Sequence, residues 1–312
     1  VFCLACSWLF FFFLFIVAVM FLLFLEVRLC VLLFLLLLGF GFVIAKPAME
    51  SFPPILLNGL RWSLSGLLMC YFFPFPKNFI KQMFAISIIG GSVQYSLSFY
   101  GLNILDGASA TLFVQAEIPF GILIAYFLLG EKTPLKNIIG LIIAFMGIAI
   151  LSGNPNLEGK LLGVVLILSG AFLWSLAQVF AKDVSEKIGG LALTAWLGIF
   201  SGPQCIIASY FIEGNTINYI YNATSEAWII VIYLAVGMNV IGYSCWYSVL
   251  SRNPVNNVMS VLLLFPITGL LTSIFILNET PNTYAYFGGA IIISGVAIIL
   301  INKKEMKNIR AQ

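Results

Sequence analysis

The sequence predicts an all-α membrane protein: ten transmembrane helices arranged as two inverted five-helix repeats, with one extra hydrophobic helix as a candidate at the N-terminus. Three observations lead there. Hydrophobic residues make up 62% of the 312 residues and charged residues 9%, with a mean hydropathy of +1.08. No water-soluble core of this size hides so much apolar surface. Apolar runs of about 20 residues, the length a helix needs to cross the hydrocarbon layer, recur along the chain between polar breaks. Finally, the stretch 115–151 returns in the same order as 262–300, about 147 residues later, an internal repeat of the kind built from one structural unit used twice.

Ten runs stand out, near 29–47, 54–73, 79–101, 107–130, 135–152, 160–181, 189–211, 226–250, 255–277 and 283–301. The breaks between them carry helix punctuation: Pro53-Pro54, Pro74 and Pro76, Asp106-Gly107, Gly153-Asn154-Pro155, Gly189-Gly190 and Asn253-Pro254. They divide the chain into a first repeat over 28–153, a second over 158–302 and a basic tail over 303–312. Residues 1–27 hold a Phe- and Leu-rich run, Trp8 to Leu25, with no counterpart in the second half. A secretory signal is not expected, because the basic start and small-residue cleavage site are missing. The run is either an eleventh helix that puts the extreme N-terminus outside, or an artefact of a misplaced start, with Met20 as one candidate.

The two copies share their landmarks: Pro119, Glu131, Pro134, Gly140 and Gly147 in the first, and Pro266, Glu279, Pro281, Gly288 and Gly295 in the second. Lys and Arg collect on one side of the ten-run unit, from Arg28, Lys77 and Lys81 through Lys132 and Lys182 to Arg252 and the tail. The other side has only Lys46 and Lys160, so the first side is expected to be cytoplasmic. Five crossings per repeat is an odd number. The second copy therefore enters from the opposite side, with Glu131 facing in and Glu279 facing out. Inverted repeats of this kind are how secondary transporters expose a central site to each side in turn.

Several chemistries are excluded. The chain has no His, which removes His-based acid-base catalysis and HExxH zinc sites. No GxxxxGK[ST] phosphate loop is present, so the chain does not itself hydrolyse ATP. Its six cysteines sit in apolar runs; Cys3 and Cys6 have CxxC spacing but no second pair, and read as buried small hydrophobes. No metal and no cofactor are expected. The net charge of +3 reflects basic loops against anionic lipid headgroups and does not imply nucleic-acid binding.

What remains are the polar groups within the runs. Glu117 lies well inside the fourth, two residues before Pro119. A charge there costs about 3 kcal/mol on insertion scales, so it must face a cavity, a partner or a proton. It is read as a proton-coupling carboxylate, as a counter-charge for a substrate amine, or as a protonated group bonded between helices. Pro119 frees a backbone carbonyl, a break tolerated at mid-membrane where it lines a cavity, and Pro266 repeats it; both are candidate hinges. Arg61 lies about seven residues past Pro53-Pro54, roughly 10 Å deep. That is shallow enough to snorkel to the outer interface; the sharper reading is that it holds a substrate carboxylate at an outer station. Lys46 is placed alike. Gln94, Gln115, Gln178 and Asn239 suit either a zwitterionic solute or a neighbouring helix. Trp174, Trp196, Tyr243 and Trp246 are candidate pocket walls or ordinary packing. Gly159-xxx-Gly163 and Gly198-xxx-Gly202 allow close helix approach, within the bundle or between two copies in a homodimer.

Taken together, Val114-Gln115-Ala116, Leu129-Gly130-Glu131, Ile241-Gly242-Tyr243 with Trp246 and Arg252, Phe265-Pro266 and Asn278-Glu279-Thr280 resemble the EamA family of the drug/metabolite transporter (DMT) superfamily, over about 29–301. Within it the chain is most similar to the O-acetylserine/cysteine exporter group. It departs from that group where such exporters have Trp-Gly-x-Asn-Phe: here Leu38-Gly39-Phe40-Gly41-Phe42 has lost the tryptophan and the asparagine. Position 117 carries Glu where those exporters tend to have an amide.

The resemblance implies no enzyme activity. It implies a multi-pass transporter of the inner (plasma) membrane with both ends of the ten-helix unit cytoplasmic. Such a protein exports a small metabolite, an amino acid or cysteine-related derivative, by alternating access. Its partners are then a small-molecule substrate and the lipid bilayer, and Glu117 adds a proton as candidate coupling ion. Gln115, Glu117, Gln178, Trp174, Arg61 and Tyr243 are the substrate-binding candidates, with Glu117 for coupling. Uptake or exchange of another solute, such as a sugar, a nucleotide-linked metabolite or S-adenosylmethionine, is the alternative. A lipid-modifying membrane enzyme is the remote one, lacking the close ionisable cluster it needs.

Overall fold

The computed structural model describes residues 27–129, 135–152, 158–252 and 265–300, and every regular element among them is helical. The leader 1–26, the tail 303–312, Glu131, Pro134 and the run entering the ninth span lie outside the described residues. The helices are α1 (Val27–Ala48), α2 (Pro54–Met69), α3 (Ile80–Ile86), α4 (Gln94–Ile104), α5 (Gly107–Val114), α6 (Glu117–Leu129) and α7 (Leu135–Ser152). They continue as α8 (Leu161–Ile188), α9 (Gly190–Ile212), α10 (Thr216–Asn222), α11 (Ser225–Tyr233), α12 (Ser244–Arg252), α13 (Phe265–Phe275) and α14 (Thr283–Leu300). A π-helical segment, Ser87–Val93, joins α3 to α4, and a second, Leu234–Tyr243, joins α11 to α12.

Local sequence explains the ends. Pro54 opens α2, where its missing N–H costs nothing. Asp106 caps α5 by accepting from Ser109 N at 2.7 Å, and Thr224 caps α11 by accepting from Ala227 N at 3.2 Å. Gly189, at φ 85°, turns the chain between α8 and α9 in a conformation that glycine adopts without strain.

Among the described residues, six helical stretches are long and apolar enough to cross a membrane, and shorter apolar helices run over Leu33–Ala48, Phe265–Phe275 and Thr283–Ile298. The chain is an integral membrane protein. The stretch Ser225–Arg252 is 61% buried against its neighbours, whereas α7 is only 28% buried; α7 lies at the rim and turns most of its apolar side chains to lipid.

Glycines set the closest contacts. Gly198 and Gly66 bring α9 and α2 together so tightly that a Cβ on Gly66 would lie 2.5 Å from Ile199 N, and Gly202 seats Ser63 one turn away. The Gly198-xxx-Gly202 pattern thus serves a contact inside one chain. At the rim, a Cβ on Gly295 would meet Gly140 O at 2.7 Å, and one on Gly147 would meet Gly288 O at 2.9 Å. The glycines paired in the sequence repeat therefore cross-pack, α7 against α14. Gly163 seats Ile104 and Leu105, while Gly159 has nothing near it.

One end of the bundle is closed by two carboxylates. Glu279, between α13 and α14, takes Lys46 Nζ at 2.8 Å and the Gly107 amide at 2.7 Å, and accepts from the Ser273 hydroxyl. Lys46 also donates to Leu105 O at 2.8 Å. Glu213, after α9, takes the amides of Ile55 and Leu56 at 2.7 and 3.0 Å and the Tyr100 hydroxyl at 2.8 Å. Each carboxylate sits on the N-terminus of a helix, where four amides lack intrahelical partners and negative charge is favoured.

Candidate functional site

The break before Pro119 is built by the chain itself. Pro119 has no N–H to give the Gln115 carbonyl and its ring excludes that oxygen. Gln115 O instead takes Ile118 N at 3.2 Å, and α5 stops at Val114 before α6 resumes at Glu117. The Ser175 hydroxyl of α8 donates to Glu117 O at 2.6 Å, so a side chain of α8 supports the broken backbone. Gln115 is buried. Glu117 is partly buried as a residue, and its side chain has no hydrogen-bond partner among the described residues. Pro266 stands at the second residue of α13, and the residues leading into it lie outside the described set.

One turn along α8, Trp174 and Gln178 share a face. Gln178 Oε1 accepts from Trp246 Nε1 at 2.9 Å. The Trp246 ring lies 5.7 Å from Trp174 and stacks at 4.8 Å on Phe34 of α1. Tyr243 meets Phe34 edge-on at 5.7 Å and is 5.7 Å from Trp62. Its hydroxyl pairs with that of Tyr95. Trp174, Gln178, Tyr243 and Trp246 thus form one buried layer across α8, the second π segment and α12, packed on Phe34 of α1. Trp196 does not belong to it. Its ring is T-shaped against Phe75 at 4.9 Å, and its Nε1 donates to Pro74 O at 3.0 Å, away from the layer.

Arg61 corrects the expectation of a shallow, snorkelling side chain. It is fully buried, and its guanidinium carbon sits 3.8 Å from the centre of the Tyr95 ring, 4.9 Å from Phe99 and 5.4 Å from Trp62. Nε donates to Asn58 Oδ1 at 3.0 Å and Nη1 reaches Met238 Sδ at 3.2 Å. The ring faces attract the cation and hold it inward. Lys46 is bound to Glu279 at the closed end instead. Asn239 donates to Arg61 O and Ser65, at 3.4 and 3.3 Å, which is helix-to-helix bonding.

Asn58, Tyr95 and Met238 were not among the residues that the sequence singled out. Tyr95 had a signal: Tyr95-Ser96 matches Tyr243-Ser244 at nearly the spacing that relates Pro119 to Pro266. Tyr243 ends the second π segment and Tyr95 lies two residues past the first, and such segments are often found at functional sites.

Known proteins resemble this chain in fold and in sequence. One solved crystal structure superposes with a TM-score of 0.64 at 17% identity, covering 86% of this chain and 94% of the other, a likeness that speaks for the fold alone. An Escherichia coli protein named a probable amino-acid metabolite efflux pump is 25% identical over 281 residues, 87% of this chain and 94% of that protein. Its Salmonella typhimurium namesake is 25% identical over 269 residues, 83% and 90% of the two chains. The EamA-like transporter family matches residues 27–153 and again 161–301, and the chain belongs to that family, as a membrane transporter and not an enzyme.

Proposed function

We propose that the chain is a secondary-active exporter of an amino acid or a cysteine-related derivative, working by alternating access in the inner membrane. The observation that carries this reading is Glu117: an ionisable group at a helix break inside the bundle, whose side chain has no hydrogen-bond partner among the described residues, beside the polar face of α8. A proton or a solute amine is what such a group is placed to take. The names of the Escherichia coli and Salmonella relatives support the substrate class.

In this reading the ten apolar runs form two inverted five-helix repeats, 28–153 and 158–302, with both ends of the ten-helix unit cytoplasmic. The cross-packing of Gly140 with Gly295 and Gly147 with Gly288 supports it, as does the pairing of Tyr95 with Tyr243. The repeats rock about Pro119 and Pro266. Gln115, Glu117 and Gln178 meet the polar groups of the solute, Trp174 and Tyr243 wall its path, and Glu117 exchanges the coupling proton. The cap of Glu279 and the cap of Glu213 then close the outer end.

The test is mass spectrometry of the medium of bacteria expressing the chain, against empty-vector cells, over all amino acids and cysteine-pathway intermediates. Selective appearance of one of these solutes is expected. A medium indistinguishable from the control, with membrane insertion confirmed, overturns the export reading.

A further inference from the structure

We propose that Arg61 is a carboxylate-binding subsite of the transport path, so that the transported class is a small solute with one carboxylate and an apolar remainder. The inference rests on the transporter reading above and specifies which group of the solute is recognised.

An arginine presents five N–H donors in a planar fork and stays charged. Burying it without an acid is costly, and buried cations are ordinarily paired. Arg61 is fully buried, yet the ion pairs among the described residues do not include it. One edge of the fork is taken, with Nε on Asn58 Oδ1. At the other end, among the described residues, Nη1 reaches the thioether of Met238, a weak acceptor, and Nη2 has no hydrogen-bond partner. The ring of Tyr95 offsets part of the charge from the face, and in the plane of the fork Nη1 keeps only its weak acceptor while Nη2 is left without one among the described residues. Those two nitrogens match the two oxygens of a carboxylate in the bidentate geometry.

The surroundings define the rest of the solute. Trp62, Tyr95 and Phe99 wall the guanidinium, which favours a solute with an apolar or aromatic side chain over one with a charged side chain. Met238 occupies the place of the missing acceptor. It is held from behind by Gly41, whose Cβ, if it had one, would lie 3.0 Å from Met238 Sδ. Met238 is a flexible side chain on a π segment, so it is the group that gives way when a carboxylate arrives.

The test is thermal unfolding of the purified full chain with L-phenylalanine, L-cysteine and L-lactate, each against its amide, at fixed pH and ionic strength. The carboxylates are expected to raise Tm in a saturable way, with the amides at least tenfold weaker. Arg61→Gln should weaken the carboxylates at least tenfold. Arg61→Lys keeps the charge but not the fork, and should weaken them several-fold; it stands in if Arg61→Gln does not fold. Equal shifts by acids and amides, shifts that survive both substitutions, or no shift by any carboxylate overturn the subsite. Carboxylate shifts that need Arg61, in a chain that exports no amino acid, leave the subsite standing and remove the export reading. Export that ignores the carboxylate and Arg61 does the reverse.

Discussion

The hydroxyls of Tyr95 and Tyr243, 148 residues apart in the sequence, hydrogen-bond to each other in the buried centre of the bundle, and Trp62 touches both rings. Replacing either tyrosine with Phe strands the other hydroxyl where water does not reach, at a cost of about 1–3 kcal/mol. Replacing both removes the unpaired group along with the bond. Each single variant is therefore expected to lower the Tm measured in detergent, and the double variant to lower it by less than the two effects added. Strict additivity would mean that the two hydroxyls do not meet.

The α2–α9 contact makes a sharper steric prediction. A methyl group on Gly66 would lie 2.5 Å from the backbone of Ile199, and one on Gly198 would lie 2.6 Å from the backbone of Gly66. Backbone cannot swing aside as a side chain does, so Gly66→Ala or Gly198→Ala must part the helices, losing about 1–3 kcal/mol or more. Gly121→Ala is the control. Its methyl would meet Ser175 at an ordinary 4.0 Å, and the gain in helix propensity makes it neutral or stabilising. Equal Tm values for all three variants would refute the tight contact.

Much of this was legible in the sequence because it is written in period and punctuation. Apolar runs of helical length mark the long helices, and the recurring glycines Gly140, Gly147, Gly288 and Gly295 are the ones that cross-pack at the rim. The break at Pro119 was legible because a missing N–H is a property of one residue. Arg61 was not. Its distance from Pro53-Pro54 fixes the depth of its Cα but not the direction of its side chain, which is set by Tyr95, Phe99 and Met238 from other helices. Trp196 stayed open between a pocket wall and ordinary packing for the same reason: an aromatic residue in an apolar run reads alike at the centre and at an end. The π segments carry no mark of their own, since a single widened turn leaves the apolar pattern almost unchanged.

Glu117 carries the prediction for coupling. Its side chain has no partner among the described residues, whereas the backbone at its own carbonyl is held by Ser175. Glu117→Gln keeps the size and the break but cannot exchange a proton. The variant is expected to fold and insert like the wild type. In vesicles, transport that responds to an imposed pH gradient in the wild type should lose that response in the variant. An unchanged response would remove Glu117 from the coupling step.

The closed end of the bundle responds to acid. Burial pushes the Glu279 carboxyl up, but the hydrogen bonds from Lys46 and Ser273, the Lys46 charge and the Gly107 amide outweigh it and hold the group below its ordinary value of 4.5. A carboxyl lowered in the folded state contributes stability that is fully present above its unfolded value and is lost as pH falls through the folded one. Between neutral pH and pH 5 the Lys46–Glu279 contact should therefore contribute a constant amount. Below that the Tm of the wild type should fall towards that of Glu279→Gln, and the gap between the two curves isolates this carboxyl from Glu213 and the others. Charge exchange, Lys46→Glu with Glu279→Lys, restores the ion pair but gives the Gly107 amide no acceptor, so it should recover only part of the loss. Full recovery would assign the whole effect to the ion pair. A gap that does not close in acid would show that Glu279 does not hold this end through its charge.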